Sequence, residues 1–125
     1  MDTKPLALII EDNEDQNLVF TTAVEKAGFR TESIKDGITA MSRLGKVVPA
    51  LVVLDLHMPG INGGLLLRGI RKDPLTAKTH VIIVTADAEF AARLEAQVDI
   101  VLIKPVSFSQ LSLLASRFIK KSETS

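Results

Sequence analysis

Four short apolar runs restrict the fold of this chain more than any other feature: Leu6 to Ile10, Leu51 to Leu54, Val81 to Val84 and Ile100 to Ile103, each followed by a polar residue. Every run has strand length, and Ile and Val dominate three of them. Runs that are apolar on both faces suit parallel strands covered by helices on both sides of a sheet. A fifth, weaker segment around Phe29 to Ile34 alternates with polar residues, as an edge strand does. The stretches between carry helical periodicity with readable starts and stops. Asn13 with Gln16 three residues on has the pattern of a capping box, and the helix it opens carries Val19, Phe20, Ala23, Val24 and Ala27 before Gly28. A second helix is predicted from about Asp36 to Gly45, with Ala40, Met41 and Leu44 inward. A third starts near Asn62 and stops before Asp73-Pro74, because the residue preceding proline is pushed out of helical geometry. The fourth covers roughly Ala88 to Ala96 with Phe90, Ala91 and Leu94. The fifth begins at Ser107, with Gln110 three positions later and Val106 and Leu111 placed as a hydrophobic staple. It turns Phe108, Leu111, Leu114, Ala115, Phe118 and Ile119 inward and is expected to fray from Lys120.

Strands and helices alternating five times predict a doubly wound α/β fold: a five-stranded parallel sheet with right-handed crossovers and five helices. The expected strand order is 2-1-3-4-5, with a switch point between strands 1 and 3 outside whose carboxyl ends ligands bind. A chain of 125 residues, 46% hydrophobic, fits one domain spanning 1–125, with a core from about residue 5 to 121 and short flexible termini. Fifteen basic and fifteen acidic residues cancel, so no net field draws the protein to nucleic acid or an anionic membrane. The absence of cysteine excludes disulfides, thiolate metal sites and thiol catalysis. Met1 to Pro5 precedes only a short apolar run that Glu11 ends, which is neither a signal peptide nor a membrane span. A soluble, cytoplasmic protein is expected.

The chemistry sits where the runs end. Glu11-Asp12 follows the first, Asp55 the second, Thr85 the third and Lys104 the fourth. In a parallel sheet those ends share one edge, so three carboxylates, a hydroxyl and an ammonium converge there. Carboxylates packed that closely repel, and the remedies are a raised pKa or a bound cation. An oxygen-only cluster without His or Cys favours Mg²⁺ or Mn²⁺ over zinc. Lys104 and Thr85 supply a positive charge and a hydroxyl donor for a phosphoryl group, so the set fits phosphoryl transfer onto a carboxylate. Each member alone has a bland reading. An acidic pair ahead of a helix favours the helix dipole, Asp caps turns, Thr ends strands, and a lysine before proline is ordinarily a solvated loop residue. The conjunction of all four at the same end of four strands argues for function.

These residues resemble the receiver domains of bacterial response regulators, over nearly the whole chain from Leu6 to about Ile119. Ile9-Ile10-Glu11-Asp12-Asn13 resembles that family's acidic opening, Leu54-Asp55-Leu56-His57-Met58-Pro59-Gly60 its phosphorylation loop, Val84-Thr85-Ala86 its switch hydroxyl and Lys104-Pro105 its closing lysine. The resemblance implies a flavodoxin-like receiver fold and a role for each residue. Asp55 is the phosphoacceptor, taking phosphate from a phosphohistidine on a sensor histidine kinase or phosphotransfer protein, or from a small donor such as acetyl phosphate. Asp12 and Asp55 bind Mg²⁺, with Glu11 acting through metal-bound water and the backbone carbonyl of His57 as a further ligand. Lys104 bridges Asp55 and phosphate, Thr85 swings inward to the phosphate oxygen, and Ala86 leaves room for it. The Lys104–Pro105 bond is expected to be cis. His57 and Asp87, two residues past Asp55 and Thr85, take positions that tune phosphate lifetime. Each is also readable as an exposed loop residue, and His80 is assigned nothing.

The resemblance further implies a phosphoacceptor without independent turnover of an external substrate. It signals through a downstream protein target by a face of helix 4, strand 5 and helix 5, and acts as a monomer or weak dimer without contacting nucleic acid or membrane. Two departures stand out: Val101 replaces the family's aromatic three residues before the lysine, and Gln97 replaces a small glycine before strand 5. Three other readings compete with it. A haloacid-dehalogenase-type phosphatase needs a second acid where His57 stands. A flavodoxin-like electron carrier needs a phosphate loop that Glu11 to Asp15 does not provide. A receiver-like protein-binding module working without phosphorylation stays open because of Val101. A stand-alone regulator and a domain cut from a longer chain, such as a hybrid kinase, are equally compatible.

Overall fold

A computed structural model describes residues 3–124, with side-chain surroundings for residues 3–119. Of the termini expected to be flexible, residues 1, 2 and 125 lie outside the described residues. Five strands, β1 (Leu6–Ile10), β2 (Arg30–Ile34), β3 (Leu51–Leu54), β4 (His80–Thr85) and β5 (Ile100–Ile103), alternate with helices α1 (Glu14–Lys26), α2 (Gly37–Leu44), α3 (Gly63–Lys72), α4 (Ala88–Leu94) and α5 (Phe108–Thr124). The sheet order is β2-β1-β3-β4-β5, and every pairing is parallel. This is the predicted doubly wound arrangement, with β1 and β3 adjacent in the centre.

Alternating side chains of the central strands feed two cores. Leu8, Ile10, Val52, Leu54 and Ile83 pack with Ala40, Leu66, Leu67, Ile70 and Ala91 from α2, α3 and α4. Ala7, Ile9, Val53, Ile82 and Val84 pack with Phe20, Ala23 and Val24 from α1 and Leu111, Ala115 and Phe118 from α5. Complete burial of β1, β3 and most of β4 follows from coverage on both faces. β5 departs from that expectation. It is the sheet's second edge, and Ile103 is 45% exposed.

The helix starts follow the capping residues. Asn13, Asp36, Asn62 and Ser107 each accept a backbone N–H three positions on. The reciprocal half of the proposed capping box is absent, because the Asn13 N–H donates to Glu11 Oε2 at 3.1 Å instead of to Gln16. Three further expectations are corrected. Met41 and Val19 are 44% and 40% exposed and belong to neither core. α4 stops at Leu94, and a 3₁₀ turn over Glu95–Gln97 takes up the remainder. α5 continues helical to Thr124 instead of fraying from Lys120.

The turn before β5 needs no glycine, since no described non-glycine residue has positive φ. It is tied down by Arg71, whose Nε donates to the Gln97 carbonyl at 2.8 Å while Nη1 donates to Ala77 and Thr79 carbonyls. His80 packs here too, with Nδ1 3.2 Å from Asp99 Oδ1 and its ring stacked on Phe118.

Candidate active site

The β1 ladder carries directly into the site. Glu11 N–H donates to the Ile34 carbonyl at 2.9 Å and Asp55 N–H to the Ile10 carbonyl at 3.0 Å, so both acids leave the sheet on paired backbone. Asn17, on the buried side of α1, donates through Nδ2 to the carbonyls of Glu11 (2.8 Å) and Ile34 (3.2 Å). Its Oδ1 accepts from Thr21 and Ser33. This amide locks the ends of β1 and β2 to α1. Glu11 is 1% and Asp55 6% exposed, while Asp12 is exposed.

Lys104 closes the group. Its N–H donates to the Thr85 carbonyl at 2.8 Å, and the peptide bond to Pro105 is cis. Its Nζ donates to Glu11 Oε1 at 2.8 Å and Asp55 Oδ2 at 3.2 Å. The other Asp55 oxygen, Oδ1, accepts the His57 N–H at 3.0 Å. Asp55 is therefore held at both oxygens. The loop that follows is seated by Gly63, whose N–H donates to the Leu56 carbonyl at 3.1 Å. A Cβ on Gly63 would stand 2.6 Å from Leu56 Cα and 3.1 Å from the Asp55 carbonyl oxygen, so only glycine lets α3 start this close.

Glu11, Asp12 and Asp55 offer carboxylate oxygens within 4.8 Å of one another. Burial, opposed by Lys104 and the Asn13 N–H and assisted by Asp55, pushes the Glu11 carboxyl up to about 7. Burial works against the Lys104 ammonium, but Glu11 and Asp55 outweigh it and raise its pKa. Three acids against one ammonium leave an excess of negative charge in a small volume, all of it on hard oxygen donors. That donor set fits a divalent cation of the Mg²⁺ kind, which takes one or two carboxylates and keeps waters.

Thr85 is buried at the end of β4, but its hydroxyl accepts the Asp87 N–H at 3.1 Å. Asp87 caps α4 through the Phe90 N–H at 2.9 Å, and its Oδ2 lies 3.0 Å from His57 Nε2. The Phe90 N–H, followed by His57 and Arg93, holds the Asp87 carboxyl below the usual range. The His57 ring also lies against Phe90, centroids 5.7 Å apart. Thr85 is thus linked to the Asp55 loop through Asp87 and His57. Ala86 is exposed beside it, and Val101 is half-buried against the α2–α4 core. Sequence reasoning placed the acids and Lys104 together, and placed His57 and Asp87 only as separate positions. It missed Asn17 and Gly63. A polar residue three positions before Phe20 on the inward face of α1 was the available signal for Asn17.

A model of the response regulator receiver domain matches residues 7–116. The phosphate regulon transcriptional regulatory protein PhoB of Rhizobium meliloti is 29% identical over 95% of this chain and 54% of its own length. The regulatory protein AtoC of Escherichia coli is 31% identical over 90% of this chain and 25% of its own. The chain thus spans about half or less of these relatives. The receiver domain of a sensor histidine kinase from Pseudomonas aeruginosa, solved with a magnesium ion coordinated in the active site cleft, superimposes with a TM-score of 0.82 at 25% identity, covering 94% of this chain and 99% of that one. Among the described residues no helix is long and apolar enough to cross a membrane.

Proposed function

The chain belongs to the response regulator receiver domain family of two-component systems, and from that premise we propose that Asp55 is its phosphoacceptor. The observation that carries this reading is the double anchoring of a nearly buried Asp55 by the His57 N–H and Lys104 Nζ, among carboxylates within 4.8 Å. A carboxylate so held presents its remaining lone pairs to an in-line donor at little orientational cost. The reaction forms a bond from an Asp55 oxygen to phosphorus and breaks the bond from phosphorus to a partner's phosphohistidine nitrogen, or to the acyl oxygen of acetyl phosphate. Lys104 Nζ, already between Glu11 and Asp55, turns one of its hydrogen bonds to a phosphoryl oxygen. Thr85, whose oxygen accepts the Asp87 N–H, turns its hydroxyl hydrogen to donate to the same group. Small, exposed Ala86 leaves space beside it.

Asp12, Asp55, Glu11 through water and the His57 carbonyl are the groups that would hold Mg²⁺ or Mn²⁺. When bound, the cation neutralises charge on the transferred phosphoryl group. Glu11 serves the site from within, sharing Lys104 with Asp55. The domain assists its own phosphorylation and dephosphorylation without turning over an external substrate. Partners in this reading are a sensor histidine kinase or phosphotransfer protein and a downstream protein target. The target meets the face of α4, β5 and α5, where Ile103 and Leu113 are 45% and 66% exposed. Val101 favours a second reading, a receiver-like module that binds protein without phosphate.

Intact-mass measurement after incubation with acetyl phosphate separates the two readings. A Mg²⁺-dependent gain of one phosphoryl group in the wild type, lost in Asp55→Asn, is expected. No gain with any donor, together with no Mg²⁺ binding, would establish the phosphate-independent module.

A further inference from the structure

The chain's formal charge is zero, yet the fold sorts its charges. Glu11, Asp12 and Asp55 gather at the carboxyl edge of the sheet. The opposite edge includes the connections 45–50, from α2 to β3, and 73–79, from α3 to β4. Gly45-Lys46-Val47-Val48-Pro49-Ala50 and Asp73-Pro74-Leu75-Thr76-Ala77-Lys78-Thr79 contain two lysines and a single carboxylate, Asp73. A shallow depression of about 630 Å³ lies between them, bordered by Lys4, Arg30, Val48, Pro49, Leu75 and Lys78, and among the described residues no Asp or Glu lines it. The neighbouring acids are engaged within the fold: Asp73 Oδ1 accepts the Leu75 N–H at 2.9 Å, and Asp99 is held by His80, the Val81 N–H and Arg71.

Two apolar side chains project from this basic edge. Leu75 is 72% exposed, the most of any large hydrophobic residue described, and Val48 is 57% exposed. They stand on separate loops on either side of an open depression. A protein partner would need a shaped surface of roughly 1,200 Å² or more to hold them. A lipid interface accepts isolated protruding side chains without a matching pocket and rewards nearby cations when the lipid is anionic.

We propose that the amino edge of the sheet is a docking surface for an anionic bilayer, with Leu75 and Val48 entering the interface while Lys46, Lys78 and Arg30 meet lipid headgroups. The strands run from this edge to the acids, a span of roughly 17 Å for five residues. Docking therefore turns Asp55 away from the membrane, toward water and any partner. A few basic groups and two short apolar side chains give weak, reversible attachment. Neutrality of the whole chain does not oppose it, because at physiological salt a surface is felt only within about 8 Å.

Sedimentation with phosphatidylglycerol vesicles, and with phosphatidylcholine vesicles as control, tests the proposal at low salt. The full chain is expected to pellet with phosphatidylglycerol, not with phosphatidylcholine, and to be released by 0.5 M salt, where the Debye length falls below about 5 Å. Lys46→Gln and Lys78→Gln should each lower partitioning by about fivefold, the loss expected for one basic side chain at an anionic surface. Leu75→Ser and Val48→Ser should lower it severalfold, while Leu18→Ser, equally exposed on α1, leaves it unchanged. These positions are all on the surface, and matching thermal melts verify that the variants fold. Equal pelleting with both lipids, or wild-type pelleting by the Leu75→Ser/Val48→Ser double variant, would overturn the proposal. Tighter binding to soluble poly-glutamate than to vesicles, through the same residues, would overturn it in favour of an acidic protein partner.

Discussion

At the scale of single residues, Asp55 is governed by what holds its two oxygens, and those holders lead in different directions. Lys104 ties Oδ2 to Glu11, whereas the His57 N–H ties Oδ1 to a loop whose imidazole reaches Asp87 and, through it, the Thr85 hydroxyl. His57→Ala or Asp87→Ala is therefore expected to change the decay rate of the aspartyl phosphate severalfold while sparing its formation. Decay followed by intact mass after removal of the donor measures this, and unchanged decay in both variants would refute it. Glu11 makes a pH-dependent contribution of definite sign. Its carboxyl is raised to about 7 in the fold from 4.5, so the folded state holds the proton more tightly. The stability this confers is complete below pH 4.5 and is lost as the pH rises through 7. A shift of that size corresponds to at most about 3 kcal/mol. Urea midpoints in a chelator should fall from pH 5 to pH 8 for the wild type, and less for Glu11→Gln. The rise in the Lys104 pKa acts only in the alkaline range and does not disturb this window. The acids and Lys104 were legible in the sequence because each follows an apolar run. The Thr85 partner was not, because a hydroxyl at a strand end can turn to whichever donor the next loop presents, and here that is the Asp87 N–H.

At the scale of elements, α3 offers a contrast between two glycines that look alike in sequence. Gly63 abuts Leu56 and the Asp55 carbonyl, whereas a Cβ on Gly69 would meet nothing within 4 Å. Gly63→Ala is expected to destabilise the fold by about 1–3 kcal/mol through overpacking. Gly69→Ala is expected to stabilise it by up to about 1 kcal/mol through helix propensity. Urea unfolding of the two variants checks both signs, and equal effects would remove the close approach at Gly63 as the reason for its glycine. Helix starts at Asn13, Asp36, Asn62 and Ser107 were readable because a cap bonds only three residues away. Met41, expected inward, and Ile103, in a run expected to be covered on both faces, are 44% and 45% exposed, because burial depends on neighbours far along the chain and, among the described residues, no strand lies beyond β5.

At the scale of the whole molecule, the parallel sheet separates charge, with three acids gathered at one end of the strands and a depression bordered by Lys4, Arg30 and Lys78 at the other, where Asp73 and Asp99 are bonded within the fold. A divalent cation that binds the acids only when folded must stabilise the fold by mass action, by about 2.7 kcal/mol at a hundredfold excess over its Kd. Addition of Mg²⁺ is expected to raise the thermal midpoint by several degrees at pH 8, with most of the rise lost in Asp12→Asn. An unchanged midpoint in both proteins would count against the metal. The sequence by itself determined the alternation of strand and helix, the five-stranded parallel order and the gathering of Glu11, Asp12, Asp55 and Lys104, because parallel strands place their carboxyl ends on one edge. Only the tertiary structure decided which of those groups share a proton donor. Lys104 reaches Glu11, 93 positions away in sequence, at 2.8 Å and Asp55 at 3.2 Å. It alone revealed that a neutral chain gathers three acids at one end of its sheet and a depression bordered by Lys4, Arg30 and Lys78 at the other. Side-chain partners and surface charge depend on distances between segments, and those exist only once the sheet has formed.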